Sequence, residues 1–352
     1  MFSPQYKLTN KILNMLTAIA ETRAVIERAK ILPKQELRLR RQALIRMTHA
    51  STKIEGNNLD IHQVEAIAEH KKIDAPARDI YEVENYLKAL RYISKVVGNK
   101  ESITEKVILK IHHFVTDKTL PENQSGYYRQ SPIYVVRRRL GLPQEIIYTG
   151  PDTKDVKSLM TNLIDWIRES EKQNINPIIV AGIVHLETAA IHPFADGNGR
   201  TARALATLIL YQRGYDFRRL FALEDYYNKD RTEYYRAVNI GKNYQERQQD
   251  VTRWLEYFVK GFKEEIDNVK TQVISLGHRK VDAPNDSQIY LDKEQIKIIN
   301  FLEITGRITV KDVMDILECP QRTAQFNLQK LKKIKMIQQV GKGPSSAYIL
   351  AE

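Results

Sequence analysis

Apolar positions along this chain recur mostly at three-, four- and seven-residue steps, the spacing of helices that bury one face. Ile12, Leu16, Ile19 and Ile26 keep that spacing near the start. In SITEKVILKIHHFV, the residues Val107, Ile108, Ile111 and Val115 make one stripe, and Ser102 with Glu105 has the form of a capping box ahead of it. The run from Ile178 to His192, IIVAGIVHLETAAIH, is apolar nearly all round and predicts a buried helix. ALATLILYQRGY predicts another, stopped by Gly214. Strand signals are few. GYYRQSPIYVVRRRLGLPQEIIYTGPD carries β-formers on both sides of RRRLGLP and predicts a hairpin, Ile133–Val136 with Ile146–Thr149.

After Phe262 the periodicity weakens, and GHRKVDAPNDSQ, residues 277–288, has the composition of a linker or loop. Three helical segments follow, LDKEQIKIINFLEITG, TVKDVMDILE and PQRTAQFNLQKLKKI, and then two short strands around Gly-Lys-Gly-Pro. That order is the order of a winged helix-turn-helix. The expected fold class is mainly α: a helical core with a short β-hairpin flap, plus a C-terminal winged helix-turn-helix domain. The expected divisions are residues 1–98 (N-terminal helical region), 99–262 (catalytic core), 263–290 (helix end and linker) and 291–352 (winged helix-turn-helix domain).

Composition narrows the classes. Hydrophobic residues are 42% and charged residues 28% of 352, ordinary values for a soluble globular chain. No apolar run is long enough to span a bilayer, and MFSPQYKLTNKIL lacks the form of a secretory signal. Cys319 is the only cysteine, so an intrachain disulfide and a thiolate metal cluster are excluded. A cytoplasmic protein without a membrane partner is expected. The net charge of +12 favours anionic partners such as nucleotides or nucleic acid, although a basic surface that only aids solubility fits equally well.

The segment IHPFADGNGRTAR, Ile191 to Arg203, is poor material for packing and good material for holding phosphate. Pro193 forces His192 out of helical geometry, so the buried helix should end there. Gly197 and Gly199 permit backbone shapes that let successive N–H groups converge on an anion. A helix beginning near Gly199 and Arg200 turns its positive end to the same spot. Arg200 and Arg203 lie three apart and can both reach phosphate oxygens. Asp196 offers a carboxylate for Mg²⁺, which prefers a few oxygen ligands and substrate phosphates. His192 can accept a proton near neutral pH and so activate an attacking hydroxyl. Any one of these residues fits an ordinary loop with a buried histidine; the full set points to nucleotide chemistry.

These residues resemble the signature of the Fic proteins, H-P-F-x-D-G-N-G-R-x-x-R, which His192 to Arg203 match at every fixed position. The resemblance covers about Ser102 to Val259, with GYYR entering the hairpin, His185 ahead of the motif and RTEYYRAV behind it. It implies a helical core that binds ATP with Mg²⁺ and transfers AMP to a Ser, Thr or Tyr hydroxyl of a protein. On that resemblance His192 is the base and Asp196 holds Mg²⁺. Asn198 with the backbone of Gly197 and Gly199 cradles the phosphates, and Arg200 and Arg203 bind the outer ones. Phe194 packs into the core, adenine sits near Tyr234 and Tyr235, and the hairpin pins the target by strand addition. Gly199 stands where the Doc branch has lysine and transfers phosphate, which favours AMP transfer. Other Fic branches use other nucleotides or phosphocholine.

Upstream, STKIEGNNL places Glu55 at a helix C-terminal end, where the helix dipole disfavours an acid. Ser51, Glu55 and Gly56 are similar to the Fic inhibitory motif S/T-x-x-x-E-G/N, carried on the same chain. The resemblance implies that Glu55 pairs with Arg203 and keeps it from the γ-phosphate. In some family members the same glutamate orients a water that removes AMP from modified targets.

In the last helical segment, Ala324, Leu328, Leu331 and Ile334 would face a core. Arg322, Gln325, Gln329, Lys332 and Lys333 would face outward, and from Arg322 to Lys335 there are five basic residues and no acid. Arg322, Gln325, Gln329 and Lys333 are candidate DNA contacts, with Lys342 in the wing turn as a phosphate contact. Phe326 interrupts that polar face, and a dimerisation or docking role fits as well. The leading expectation is a self-inhibited protein adenylyltransferase whose target is another protein or itself, with a homodimer as a further expectation. The alternatives are a DNA-binding regulator that senses nucleotide and a de-AMPylating hydrolase.

Overall fold

The computed structural model of the chain describes residues 2–29, 31–137, 145–278, 291–341 and 346–351. They divide into two compact units, residues 1–29 with 40–273, and residues 30–39 with 274–352. The divisions expected at residues 98 and 262 are not the ones found. Residues 1–29 and 40–98 belong to the same unit as residues 192–203, and one helix runs uninterrupted through residue 262. The segment read as a linker lies largely outside the described residues, as do RRRLGLP and Lys342.

The larger unit begins with α1 (Asn10–Arg28), capped by Thr9, whose hydroxyl accepts from Ile12 N–H. Next come α2 (Pro33–Ile54), of which residues 40–54 belong to this unit, then α3 (Ile61–Ala68), α4 (Ala77–Gly98) and α5 (Glu105–Thr116). The cap of α5 is Thr104, which accepts from Val107 N–H, so the box expected from Ser102 and Glu105 does not form. Threonine stands directly before the first helical residue, the place from which a side chain can reach the third amide. A small cluster of Ile45, Leu59, Val64, Ile67, Val83 and Leu87 locks α2, α3 and α4 together. That cluster fixes where the C-terminal end of α2 points.

Strands β1 (Tyr134–Arg137) and β2 (Glu145–Thr149) pair antiparallel with a bulge between Val135 and Val136, close to the hairpin expected. The far edge of β2 is held at its base, where Thr149 donates its N–H to Lys242 O and accepts from Tyr244 N–H. Then α6 (Val156–Lys172) leads to α7 (Pro177–Ile191) and α8 (Asn198–Gln212). Thirteen of the residues of α7 are buried, the all-round burial its sequence predicts. It packs against α6 on one side and α8 on the other, with α4 and α5 covering α8. Short helices α9 (Leu223–Lys229) and α10 (Arg231–Val238) precede α11 (Thr252–His278). Gly182 lets α11 approach α7 closely: a Cβ there would lie 2.9 Å from Leu255 Cδ2, and Trp254 Nε1 donates to Gly182 O at 2.7 Å.

The smaller unit holds α12 (Lys293–Thr305), α13 (Val310–Leu317), α14 (Gln321–Lys333) and the antiparallel pair β3 (Ile337–Val340) and β4 (Ala347–Leu350). Ile298, Leu302, Ile308, Val313, Leu328 and Leu331 are in its core. Arg322, Gln325, Gln329 and Lys333 are all exposed on α14, as is Phe326, whose ring lies under Lys330 Nζ. No described helix is long and apolar enough to cross a membrane.

Candidate active site

The loop between α7 and α8 carries the site. His192 ends α7 in the left-handed conformation, φ 50° and ψ 58°, so the exit is sharper than the extended geometry a following proline usually imposes. Arg129 holds that exit. It is almost wholly buried, and its Nε donates to His192 O at 2.9 Å while its backbone N–H donates to Pro193 O. The remaining guanidinium nitrogens donate to Ser131 O, Pro151 O and Thr153 Oγ1. His192 Nδ1 lies 3.0 Å from Ala189 O. A carbonyl only accepts, so Nδ1 carries the proton and Nε2 keeps its lone pair. Burial lowers the His192 pKa, partly opposed by that carbonyl and by the charge of Glu55. The ring is therefore neutral and basic at Nε2.

Phe194 is fully buried and stacks on the His112 ring at 3.7 Å. His112 Nδ1 accepts from Gly126 N–H, so its Nε2 donates, to Asp196 O at 3.0 Å. Burial lowers the His112 pKa to about 4, which keeps this arrangement neutral. Gly197 has φ +75°, and a Cβ on it would strike Thr116 Cγ2, so both backbone and space require glycine. Asn198 differs from expectation. Its Oδ1 accepts from Phe194 N–H and its Nδ2 donates to Phe194 O, which commits the buried side chain to closing the loop. Its second Nδ2 hydrogen and its backbone N–H, at the start of α8, are not used by these two bonds.

Two arginines on α8 face the loop, each about 2% exposed or less. Arg203 donates from Nε to Ser51 Oγ at 2.9 Å, and from Nη2 to Ser51 O at 2.9 Å and Glu55 Oε1 at 2.7 Å. Burial alone would lower its pKa, but Glu55 and the hydroxyls of Tyr234 and Tyr86 outweigh burial and raise it. Arg200 lies 3.6 Å from both Glu82 and Asp196, and its Nε and Nη1 have no hydrogen-bond partner among the described residues. Buried guanidinium N–H groups without acceptors are what a phosphate would satisfy. Asp196 is partly exposed; Oδ1 accepts from Gly197 N–H at 2.6 Å, and Oδ2 accepts from Arg78 on α4 at 3.0 Å.

The end of α2 is fastened over this site. Gly56, at φ +98°, turns the chain, and Asn57 donates to Asp79 O and Glu82 Oε2. Tyr235 OH donates to Ile54 O and Arg231 to Lys53 O, satisfying terminal carbonyls of the helix. Gly199 adopts ordinary helical angles; it is needed for space, because a Cβ there would fall on Glu55 Oε1 and 3.1 Å from Arg203 Nη1. Tyr234 is buried, with its hydroxyl between His185 Nε2 and Arg203 Nη1. It supports the arginine and presents no face to a base, so Tyr235, half exposed, is the one of that pair on the surface.

The site brings together Ser51, Glu55, His192, Asp196, Gly199, Arg200 and Arg203, as the sequence motifs implied. Arg78, Glu82, His112 and Arg129 were not singled out there. GYYR contained the last of these without revealing its task.

The Fic/DOC family model matches residues 102–210, a span that opens just before α5 and closes inside α8. Those residues are thus similar to a Fic/DOC family domain. Among curated relatives, the Protein adenylyltransferase Fic of Nematostella vectensis is 28% identical over 255 residues, 70% of this chain and 54% of its own length. That of Drosophila willistoni is 29% identical over 202 residues, 57% of this chain and 36% of its own length. The chain thus spans about half or less of these relatives. Among solved structures, a Fic family protein from Desulfovibrio desulfuricans G20 superimposes with a TM-score of 0.63 at 26% identity, covering 99% of this chain and 98% of its own. Fic-1 (residues 134–508) from C. elegans gives 0.60 at 24% identity, covering 75% and 72%, and shares the fold.

Proposed function

We propose that this Fic domain protein is a protein adenylyltransferase held in check by its own Glu55. The observation that carries the reading is the neutral His192 ring, with Nε2 free, on a loop flanked by an arginine with unsatisfied N–H groups. ATP is the substrate. A protein Ser, Thr or Tyr hydroxyl gives its proton to His192 Nε2 as its oxygen attacks the α-phosphorus. The new O–P bond replaces the bond to the β-phosphate, and pyrophosphate leaves. Arg200 N–H groups and the N-terminal amides of α8 receive phosphate charge. Arg203 can join them only when Glu55 is displaced. Names of the curated relatives agree with this chemistry.

Mg²⁺ fits the donor set as a shared ligand. Among the described residues no cluster of three or more metal-ligating side chains exists, so Asp196 would hold the ion together with phosphate oxygens and water. The ion, when bound, neutralises charge on the departing phosphates.

The test is intact-mass analysis after incubation with ATP and Mg²⁺. We expect AMP addition to Glu55→Gly, none to Glu55→Gly/His192→Ala, and little to the parent. Full modification of the double variant would overturn the base assignment. Release of AMP from a modified protein, without gain of label, would favour a hydrolase in which Glu55 orients water.

A second reading concerns the smaller unit, which we take for a winged helix-turn-helix that enters the DNA major groove. Exposed Arg322, Gln325, Gln329 and Lys333 on α14 favour it. Duplex binding that weakens steeply with salt, and weakens uniformly in Lys333→Ala, is the expected result.

A further inference from the structure

Arg78 projects from the first turn of α4 over the outer face of the Asp196 carboxylate. Its Nη2 donates to Asp196 Oδ2 at 3.0 Å, and its Nε donates to Glu82 Oε1 at 3.2 Å. The other Asp196 oxygen is already engaged by Gly197 N–H, with Arg200 Nη2 at 3.6 Å. Oδ2 is therefore the oxygen left for a hard cation, and a guanidinium stands on it.

We propose that Arg78 is a resident stand-in for the divalent cation, neutralising Asp196 in the resting site and exchanging with the metal when nucleotide binds. This rests on the reading of Asp196 as the metal-holding residue. Two cations cannot share one carboxylate oxygen at contact distance without strong repulsion. Of the two arginines beside Asp196, only Arg78 is free to move. Its side chain is 63% exposed, against 2% for Arg200. An exposed ion pair is a weak bond, so leaving Asp196 costs Arg78 little. The anchor of the arm stays behind, since Glu82 is buried and fastened by Asn57 Nδ2 at 3.0 Å. Arg78 thus acts on metal occupancy as a positioning residue, without touching the reacting atoms.

The experiment is titration calorimetry on full-length Glu55→Gly protein with α,β-methylene ATP, which binds but cannot transfer AMP. Affinity is measured with Mn²⁺ and again with EDTA, and the ratio of the two isolates the contribution of the metal. In Arg78→Gln that ratio should rise about three- to fivefold at low ionic strength, a gain that shrinks in high salt. Arg78→Lys keeps the charge and should return to within about twofold of the parent. An unchanged or lower ratio in Arg78→Gln, with the ratio still collapsing in Asp196→Ala, overturns the exchange. A ratio that Asp196→Ala leaves intact overturns the metal assignment itself.

Discussion

At the scale of single residues, His192 depends on one unusual backbone conformation. The left-handed turn aims its carbonyl at Arg129 and its Nδ1–H at Ala189 O, which leaves Nε2 as the ring nitrogen with the lone pair. Because burial lowers its pKa below the ordinary 6.5, the neutral form persists to lower pH than a free imidazole allows. Transfer by Glu55→Gly should accordingly keep its rate as pH falls through 6.5 and lose it only below that value. A plot of kcat/KM against pH checks this, and an acid limb centred above 6.5 would contradict it. Removing Glu55 also removes a charge that raises this pKa, so the shift should not shrink in the variant.

Among elements, the base of the hairpin and the catalytic loop are one mechanical piece, joined by Arg129. Five donated hydrogen bonds from this residue, four through its side chain, tie Ser131, Pro151 and Thr153 to His192 and Pro193. Arg129→Ala should lower the melting temperature, with a loss on the order of 3 kcal/mol from buried carbonyls left unpaired. It should also reduce transfer by Glu55→Gly at least about tenfold, through a misplaced His192. Lysine should not rescue either property, since an ammonium cannot serve carbonyls on several sides through a planar fork. The loop between α7 and α8 was legible from sequence because its chemistry is contiguous and its flanking helices are so strongly apolar. Ser51 and Glu55 were legible only as a short motif, and their meeting with Arg203, 152 and 148 positions away, came from resemblance. Periodicity says which face of a helix is buried, not which helix covers it. The 118-residue step from Arg78 to Asp196 therefore left no trace in the pattern. The two bonds from Asn198 back to Phe194 were hidden for a related reason, since its neighbours announce phosphate and not loop closure.

For the whole molecule, the consequence is a site whose charges are partly paired already. Glu55 occupies Arg203 and Arg78 occupies Asp196, which leaves Arg200 as the arginine with unsatisfied N–H groups for a phosphate to meet. Ligand binding stabilises a fold only by the free energy of binding that remains after such contacts are broken. ATP with Mg²⁺ should therefore raise the melting temperature of the parent little and that of Glu55→Gly by several degrees at the same concentration. Equal shifts in differential scanning fluorimetry would mean that Glu55 does not compete for the nucleotide site.

Gly199 carries this into inheritance. Any side chain there would collide with the Glu55 carboxylate, so the two positions, 144 residues apart, are not free to vary separately. A lineage that replaced the glycine would have to move the Glu55 carboxylate, and with it the contact to Arg203. Among descendants of this sequence, a side chain at 199 should accordingly be found where glutamate at 55 has already been lost, more often than where it is kept.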